Sequence, residues 1–429
     1  MATLKQPRPR QFRCVELYSA GYLDNGLGFL LAPLPGARLV HLGVYLDQGV
    51  RSESSENNGI SHFLEHIAFN PAHFNRTLLR QWSYLEASGV QLEAWTGKEY
   101  LSFRLTLPPD LLPKAIAFVR SLLVPGRIRN ASVERERAII LEEIARKKAT
   151  PEFAFDLLES ALFAPPYGRP VLGDPRVVAQ LSAKELRNWA RKTFNASRTR
   201  LIISGAVREW AEKALMHFED YPGGLVLQES PRVEVLPRFV AIPGRRPRVR
   251  LLLGFPAPVI DDPDRPAVEV LAHLVGGGLG SRLFAKIRQR DGLAYEVGGG
   301  SLHYRFLGYV YFYIELSREN LSRGLNGVLD ALREIRSSPP SADELRRAKE
   351  GVALQRLREA ETPGVLRRLG LFWMAGGLYF PSEEVKAYHR VREEDVSQMA
   401  DRYLCAKQMA LVGIGATEEE MEGLMEVIR

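Results

Sequence analysis

A short segment of the chain combines two histidines and a glutamate at helical spacing. The segment is GISHFLEHIAFN, residues 59–70. On a helix its apolar residues form one continuous stripe, namely Ile60, Phe63, Leu64, Ile67 and Ala68. The polar side chains on the opposite side are His62, Glu65 and His66. Asn57 or Asn58, just before Gly59, could cap the start of this helix, so the pattern predicts one buried face and one chemically active face.

Histidines one helical turn apart can bind a single zinc ion, because their ring nitrogens can converge to about 2.0–2.1 Å from the metal. His62 and His66 have this spacing, and Glu65 lies where it can reach a water molecule on the metal. The alternative is the solvated polar face of an amphipathic helix. A lone histidine would favour that alternative, whereas this triplet opposite a clean apolar stripe favours a zinc site.

The string HFLEH has the HxxEH pattern of the inverted zincins. The surrounding string, SENNGISHFLEHIAF, resembles the insulinase–pitrilysin family of zinc peptidases, in the short two-domain form of the mitochondrial processing peptidase beta subunit. The resemblance covers nearly the whole chain and implies one zinc ion per chain. It also implies an α+β fold of two homologous domains, each an antiparallel sheet packed with helices, of the LuxS and mitochondrial processing peptidase type.

The family takes its third zinc ligand from a glutamate far along the chain from the two histidines. Glu143, in the string VERERAIILEEI, follows His66 with 76 residues between them, which matches the family's spacing. By that match Glu143 is the third ligand, and Glu142 is a competing candidate one position away. Glu136 shares a helix face with Glu143 and by the same match orients a metal ligand from behind. The alternative for Glu136 is an exposed helix charge.

The string GGGLGSRLFAKIRQRDGLAYEV, residues 276–297, resembles the family's glycine-rich loop and the segment after it. The family uses an arginine and a tyrosine seven residues apart to hold substrate carbonyls over the zinc, and Arg288 and Tyr295 have that spacing. Without the family, Tyr295 would be interpreted as an ordinary strand tyrosine. The glycines lack a following GK[ST] and do not match GxGxxG, so nucleotide binding is not expected.

Two strings depart from the family's usual pattern. The edge strand that pairs with substrate is expected near Gln91–Thr96, and its named positions are Glu93, Ala94, Trp95 and Thr96. There Glu93 replaces the family's usual asparagine. The usual Gly-Thr after the zinc helix is replaced by Asn-Pro-Ala-His at 70–73, and His73 is interpreted as a loop residue and not as a ligand. Both departures bear on substrate preference and leave the metal site intact.

The resemblance implies a zinc endopeptidase that hydrolyses peptide bonds in extended peptides or oligopeptides. Zinc would activate a water molecule at its open position, and Glu65 would take the proton. Zinc and Tyr295 would stabilise the oxyanion that forms when the hydroxide attacks the peptide carbonyl. Glu65 would then pass the proton to the leaving amine, while the substrate lies beside residues 91–96 as an added strand.

Long family members carry four such domains in one chain, so this chain resembles half of one. The implied partner is a second copy or a related subunit, and the presence of both the zinc residues and the Arg/Tyr pair favours a homodimer. The alternative function is a non-catalytic peptide-binding or structural subunit of a heteromeric processing peptidase complex, as the core proteins of respiratory complex III are. Those subunits typically lose motif residues, whereas this chain retains them.

Strand and helix patterns follow the same order in both halves of the chain. The first half begins at 28–50 with strand periodicity around Pro35-Gly36, which predicts a hairpin of a half-buried antiparallel sheet. Further strands are expected at 99–107 and 198–206, and helices at 110–124, 132–148, 152–163 and 183–194. The second half begins with two strands around a Pro-Gly turn at 238–255. Helices are then expected at 264–275, 280–290, 319–361 and 382–403, and strands at 293–316 and 409–416.

The repeated order predicts a duplicated α+β unit, and the length of 429 residues fits two domains. The expected boundaries are a zinc-binding catalytic domain at 1–225, a linker at 226–237 and a homologous domain at 238–429. The linker falls in a stretch rich in Pro, Gly and polar residues, and the second domain contributes Arg288 and Tyr295.

The composition excludes several classes of protein. The net charge of +7 is spread along the chain, so no nucleic-acid partner is expected. Cys14 and Cys405 are too few for a disulfide framework, a thiolate zinc site or an iron–sulfur cluster. The N-terminus lacks the apolar core of a secretion signal, and no apolar stretch reaches the length of a membrane span. A soluble cytoplasmic protein without a membrane partner is expected.

Overall fold

The chain forms two compact units. The computed structural model describes residues 13–15, 18–124, 128–147, 151–207, 211–224, 231–244 and 247–428. The first unit comprises Met1–Lys148, Arg169–Ser230 and Glu359–Leu378, and the second comprises Ala149–Gly168, Pro231–Arg358 and Tyr379–Arg429. The expectations for the chain's first 12 residues and for 226–230 of the linker lie outside the described residues.

Both halves of the chain contain runs of strands and runs of helices. The described strands are β1 (Arg13–Val15), β2 (Tyr18–Tyr22), β3 (Gly28–Pro33), β4 (Val40–Leu46), β5 (Gln91–Thr96), β6 (Leu101–Leu107), β7 (Thr199–Gly205), β8 (Phe239–Pro243), β9 (Arg248–Ala257), β10 (Ala294–His303), β11 (Gly308–Ser317) and β12 (Ala410–Gly415). The described α-helices are α1 (Ile60–Phe69), α2 (Arg76–Ala87), α3 (Leu112–Leu122), α4 (Asn130–Lys147), α5 (Pro151–Leu162), α6 (Pro175–Val178), α7 (Ala183–Thr193), α8 (Ala211–Ala214), α9 (Arg265–Gly276), α10 (Leu321–Ser337), α11 (Ala342–Ala360), α12 (Val365–Ala375), α13 (Pro381–Arg390), α14 (Glu393–Tyr403) and α15 (Glu418–Ile428). Among these helices, none combines the length and the apolar character that crossing a membrane requires.

The first unit contains a sheet with the strand order β1-β2-β3-β7-β4-β6-β5. The predicted hairpin at 28–50 is wrong, because β7 lies between β3 and β4, parallel to the first and antiparallel to the second. The predicted turn is present, with Gly36 at a φ of 83°. β7 takes the central position because Leu201, Ile202 and Ile203 give it apolar side chains on both faces, and all three are fully buried.

The second unit repeats this topology with the strand order β10-β11-β9-β12-β8. The predicted hairpin at 238–255 is wrong for the same reason, since β12 lies parallel to β8 and antiparallel to β9 between them. The series β3-β7-β4-β6-β5 therefore matches β8-β12-β9-β11-β10 in order and direction. The predicted α+β class, with two sheets packed with helices, is confirmed, although each sheet contains one parallel pair of strands.

Helices cover the sheet of the first unit on both faces. Leu42 and Val44 of β4 belong to a core that includes residues of α1 and α3, whereas Gly43 and Tyr45 point to the opposite face and contact α12. Every residue of β4 is buried. The expectation of a half-buried sheet is therefore wrong for this strand, because a helix from late in the chain covers its second face.

The sheet of the second unit is covered in the same way. One face, with Leu251 and Leu253, joins a core that contains residues of α9, α10 and α14. The other face, with Leu252 and Val412, packs against Leu158 and its neighbours on α5. Each unit thus contains one covering helix from the other half of the chain: α12 in the first unit and α5 in the second.

Candidate metal centre

The two histidines lie on α1, a helix whose apolar side chains are packed into the core. Its apolar stripe is buried as predicted, with Ile60, Phe63, Leu64, Ile67 and Ala68 all inside the protein. The predicted cap is wrong, because neither Asn57 nor Asn58 caps the helix. The buried carboxylate of Glu53 does so instead: its oxygens accept the backbone N–H groups of Gly59 at 2.8 Å and Ser61 at 2.9 Å. A carboxylate there also suits the positive end of the helix dipole.

Sequence reasoning missed Glu53 because it lies six residues before Gly59, outside the usual capping spacing. Asn58 contributes indirectly, since its Nδ2 donates to Glu53 Oε2 at 2.8 Å. The sequence did contain one indication, an acidic residue shortly before Gly59, which precedes α1. Burial raises the pKa of Glu53, and the hydrogen bonds that it accepts oppose this shift.

Three donor atoms meet where α4 packs against α1. The Nε2 atoms of His62 and His66 lie 3.2 Å apart. Glu143 Oε2 lies 3.2 Å from His66 Nε2 and 3.7 Å from His62 Nε2. A tetrahedral zinc ion with such ligands needs donor atoms about 3.4 Å apart, so these residues fit three corners of a zinc site. The competing candidate, Glu142, is exposed and lines the adjacent cavity.

The charges around this cluster also suit a cation. Burial, together with the nearby charge of His66, lowers the pKa of His62 to about 3. Burial acts on His66 in the same direction, but the carboxylates of Glu136 and Glu143 outweigh it and raise the pKa of His66 to about 9. The hydrogen bond from His66 lowers the pKa of the Glu143 carboxyl. Carboxylates that favour a cationic imidazole here also favour a divalent metal ion.

Glu136 lies directly behind His66. Its side chain is fully buried, and Oε2 accepts a hydrogen bond from His66 Nδ1 at 3.0 Å. A proton held on Nδ1 leaves Nε2 free to bind a metal. The alternative interpretation of Glu136 as an exposed helix charge is wrong, because α4 turns this residue inward against α1.

The second oxygen of Glu136 has two partners that sequence reasoning did not assign to the site. Asn70 Nδ2 and His73 Nε2 each donate to Oε1 at 2.7 Å. His73 lies in a single turn of 3-10 helix, Pro71–His73, and stands outside the three-donor cluster, as expected of a residue that is not a ligand. Its buried, hydrogen-bonded side chain makes it more than a loop residue.

Glu65 lies on α1, and its carboxylate contacts the edge strand β5. Thr96 Oγ1 donates a hydrogen bond to Glu65 Oε2. Burial raises the pKa of Glu65 in spite of this bond. A partly buried carboxylate whose pKa is raised, next to a candidate metal site, is suited to accept a proton and then return it.

β5 lies at one edge of the first sheet and pairs only with β6 among the described strands. Trp95 is 54% exposed, and Glu93 reaches across the pair to Arg104 at 3.3 Å. Unpaired backbone groups on such an edge can accept an added strand. An open cavity of about 550 Å³ lies between α1 and α4, and its lining includes Glu65, His66, Phe69, Ile139, Glu143 and Arg146.

Arg288 and Tyr295 belong to the second unit. Arg288 is exposed on the helical segment Phe284–Arg290. Tyr295 lies on β10, is 61% exposed, and has the guanidinium of Arg248 4.1 Å from its ring centroid. β10 lies at one edge of the second sheet, as β5 does in the first. The role of this pair at the metal centre stays a prediction.

Comparison with known protein families identifies the class of protein. Residues 29–175 match the family model described as Insulinase (Peptidase family M16), and residues 180–352 match the model described as Peptidase M16 inactive domain. The chain therefore belongs to the insulinase family of zinc peptidases, and the predicted resemblance is confirmed. HxxEH occurs once in the sequence, within the first of the two matches.

Individual relatives extend over almost the whole chain. An uncharacterized zinc protease of Mycobacterium bovis is 28% identical over 92% of both chains. The mitochondrial-processing peptidase subunit beta of Saccharomyces cerevisiae is 26% identical over 92% of this chain and 90% of its own. A protease from Helicobacter pylori and a chain of complex III2 from Candida albicans share the fold, each with a TM-score of 0.81 and 16% identity. They cover 93% and 94% of this chain and 99% of their own.

Proposed function

We propose that this protein is a zinc-dependent endopeptidase that cleaves extended peptides. The observation that carries the proposal is the convergence of the His62, His66 and Glu143 donor atoms beside the partly buried carboxylate of Glu65. These three residues would hold the ion, one per chain. Zinc, when bound, supplies a Lewis acid that polarises the scissile carbonyl and acidifies the attacking water.

Glu65 would act as the general base and then as the general acid. Its carboxylate would take a proton from the attacking water, and burial raises its pKa towards the range in which this exchange is efficient. The hydrogen bond from Thr96 Oγ1 would hold this carboxylate in a fixed orientation. After attack, Glu65 would deliver the proton to the leaving amine, so that the carboxylate is regenerated in each turnover.

The substrate would bind along β5 as an additional strand. The outer edge of Gln91–Thr96 supplies backbone groups for it, and Thr96 connects this edge to the base. Arg288 and Tyr295 would hold substrate carbonyls over the metal, and the phenol of Tyr295 would donate to the oxyanion. Backbone pairing would then supply much of the affinity for substrate, with side chains at Glu93 and Trp95 modifying the preference.

A second candidate is a non-catalytic peptide-binding or structural subunit of a heteromeric processing peptidase. It is favoured by the match of the second half to a domain described as inactive and by the fold likeness to a complex III chain. Against it stand the intact donor set and base. In either case we propose a partner, either a second copy of this chain or a related subunit, because a relative is itself described as a subunit.

Two substitutions test the peptidase proposal, one directed at the base and the other at metal binding. Glu65→Gln preserves the size of the side chain but removes the base, so we expect full zinc content and a loss of turnover of about 1,000-fold or more on a quenched peptide library. His62→Ala removes a ligand and is expected to lose both zinc and activity. Metal content is measured by elemental analysis of purified protein.

Thr199→Ser provides the matched control, because this buried residue lies on β7 and its hydroxyl donates to the backbone oxygen of Asn195. It is expected to keep both zinc and activity. A zinc-loaded Glu65→Gln protein with normal turnover would refute the assigned base. Wild-type protein that binds zinc tightly but cleaves no peptide, alone or with a related subunit, would favour the non-catalytic alternative.

A further inference from the structure

The turn after the metal-binding helix differs from the family's usual Gly-Thr, and its side chains point back towards the site. α1 ends at Phe69, and Asn70 follows as its C-terminal cap, with its backbone N–H bonded to the carbonyl of His66. Asn70 Oδ1 accepts the N–H of Ala72 at 2.9 Å, which starts the turn. Pro71 at the first position of that turn pre-sets its backbone.

This turn brings Asn70 and His73 to the same oxygen atom. Asn70 Nδ2 and His73 Nε2 each lie 2.7 Å from Glu136 Oε1. The other oxygen, Oε2, accepts from His66 Nδ1 at 3.0 Å. The Glu136 side chain has no exposed surface, so these three donors supply its described hydrogen bonds.

The arrangement determines which way the Glu136 carboxylate can face. A buried carboxylate is stable only when its oxygens are paired. With Oε1 held by two donors from one rigid turn, rotation of the carboxylate would break both bonds, so Oε2 stays directed at His66. His66 Nδ1 then keeps its proton, and Nε2 stays directed at the donor cluster.

We propose that Asn70 and His73 are positioning residues, which clamp Glu136 so that it holds His66 in the tautomer and orientation required for metal binding. The clamp adds a positioning role to the proposed metal site, and its importance for catalysis rests on the proposed function. Its side chains lie outside the three-donor cluster. It explains what the Asn-Pro-Ala-His sequence at 70–73 does in place of the usual Gly-Thr.

Metal affinity of the full-length protein tests the clamp without any need for a substrate. Zinc affinity is measured by competition with a chromophoric chelator. His73→Ala is expected to weaken it by about 10- to 100-fold, the usual effect of losing such an outer partner. His73→Gln, whose amide can again donate to Glu136, is expected to recover affinity to within about threefold of wild type. The visible spectrum of the cobalt-loaded protein should change with His73→Ala and return with His73→Gln.

Asn70→Asp separates the clamp from the fold of the turn. The aspartate can still accept from Ala72, but it replaces the donor to Glu136 with a second negative charge. We therefore expect a loss of zinc affinity at least as large as that of His73→Ala. This variant also serves if His73→Ala does not fold.

Asn75→Ala is the matched control in the same loop, because Asn75 caps α2 by accepting from Leu78 N at 2.8 Å and does not contact Glu136. It should lower the melting temperature and leave zinc affinity unchanged. Folded His73→Ala and Asn70→Asp proteins with wild-type zinc affinity and cobalt spectra would overturn the clamp. Wild-type protein that binds no zinc would instead overturn the proposed function, so the two failures are distinguishable.

Discussion

At the scale of single residues, the metal centre is a set of side chains with separate tasks. In the proposed site, His62, His66 and Glu143 would supply the metal's donor atoms, and Glu65 would act as the base. Glu136 holds His66 from behind. Each task places a different demand on burial, since ligands must face the ion while the carboxylate behind them must be sealed and fully paired.

Tyr295 is the residue whose role depends most on the family resemblance. Its exposed phenol on β10 has no chemical task within the second unit that the described contacts reveal, apart from its ring contact with Arg248. If it donates to the oxyanion, Tyr295→Phe should lower kcat by about 100-fold or more and leave zinc content unchanged. Steady-state kinetics on the best peptide substrate measure this effect.

Tyr403→Phe is a suitable control for that experiment. Tyr403 also lies in the second unit, where its hydroxyl donates to Asp264 Oδ2 at 3.1 Å. Its loss should not change kcat. A Tyr295→Phe enzyme that is as fast as the wild type would exclude Tyr295 from transition-state stabilisation.

At the scale of elements, the close approach of α12 to the first sheet depends on two glycines. A Cβ placed on Gly370 of α12 would lie 2.9 Å from the ring of Tyr45, and one on Gly43 of β4 would lie 2.8 Å from the same ring. Tyr45 is fully buried and packs edge-on against Tyr100 at 5.2 Å between ring centroids. The ring therefore has little room to move, and the helix sits close to the sheet because neither glycine has a side chain.

Gly370→Ala should destabilise the protein although alanine is the better helix former. We expect a loss of about 1–3 kcal/mol in the free energy of unfolding, because overpacking outweighs the gain in helix propensity. The midpoint of urea-induced unfolding measures the change. Gly423→Ala in α15 is the matched substitution, since nothing lies within 4 Å of its added Cβ, and it should stabilise by about 0.5–1 kcal/mol. Shifts of the same sign in both variants would contradict this account of α12.

At the scale of the whole molecule, we propose that the peptidase acts together with a partner. The chain matches these relatives over about nine-tenths of their length. It carries both the metal donors and the Arg288/Tyr295 pair. A dimer of identical copies would therefore need no component from a subunit of different sequence. We therefore propose the homodimer ahead of a mixed pair.

Mass in solution tests this proposal. Light scattering on the purified, zinc-loaded protein should give about twice the chain mass of 48.2 kDa. Peptidase activity per chain should fall on dilution below the dissociation constant, because a separated copy would lack its partner. A stable monomer that keeps its full activity at every concentration would contradict the homodimer.

The sequence by itself determined the parts of the site that are local in the chain. The stripe on α1 and the histidine spacing are properties of ten consecutive residues, and helical periodicity is a local effect. The family resemblance indicated Glu143 and Glu136 from spacing alone. Most predicted helices and strands, including α4, α9 and β7, occur within a few residues of their expected bounds.

Only the tertiary structure decided which elements meet. The strand pairings of β7 and β12, the exchange of α5 and α12, and the clamp on Glu136 all join residues distant in the chain. A pattern of apolar residues reveals that a segment must be covered, but not by what, because burial is not directional. Glu53, Asn70 and His73 look like ordinary polar residues in the sequence, because their hydrogen-bond partners depend on the tertiary structure. In the fold, Glu53 accepts two backbone N–H groups at the start of the helix that carries the histidines, and Asn70 and His73 each donate one hydrogen bond to Glu136.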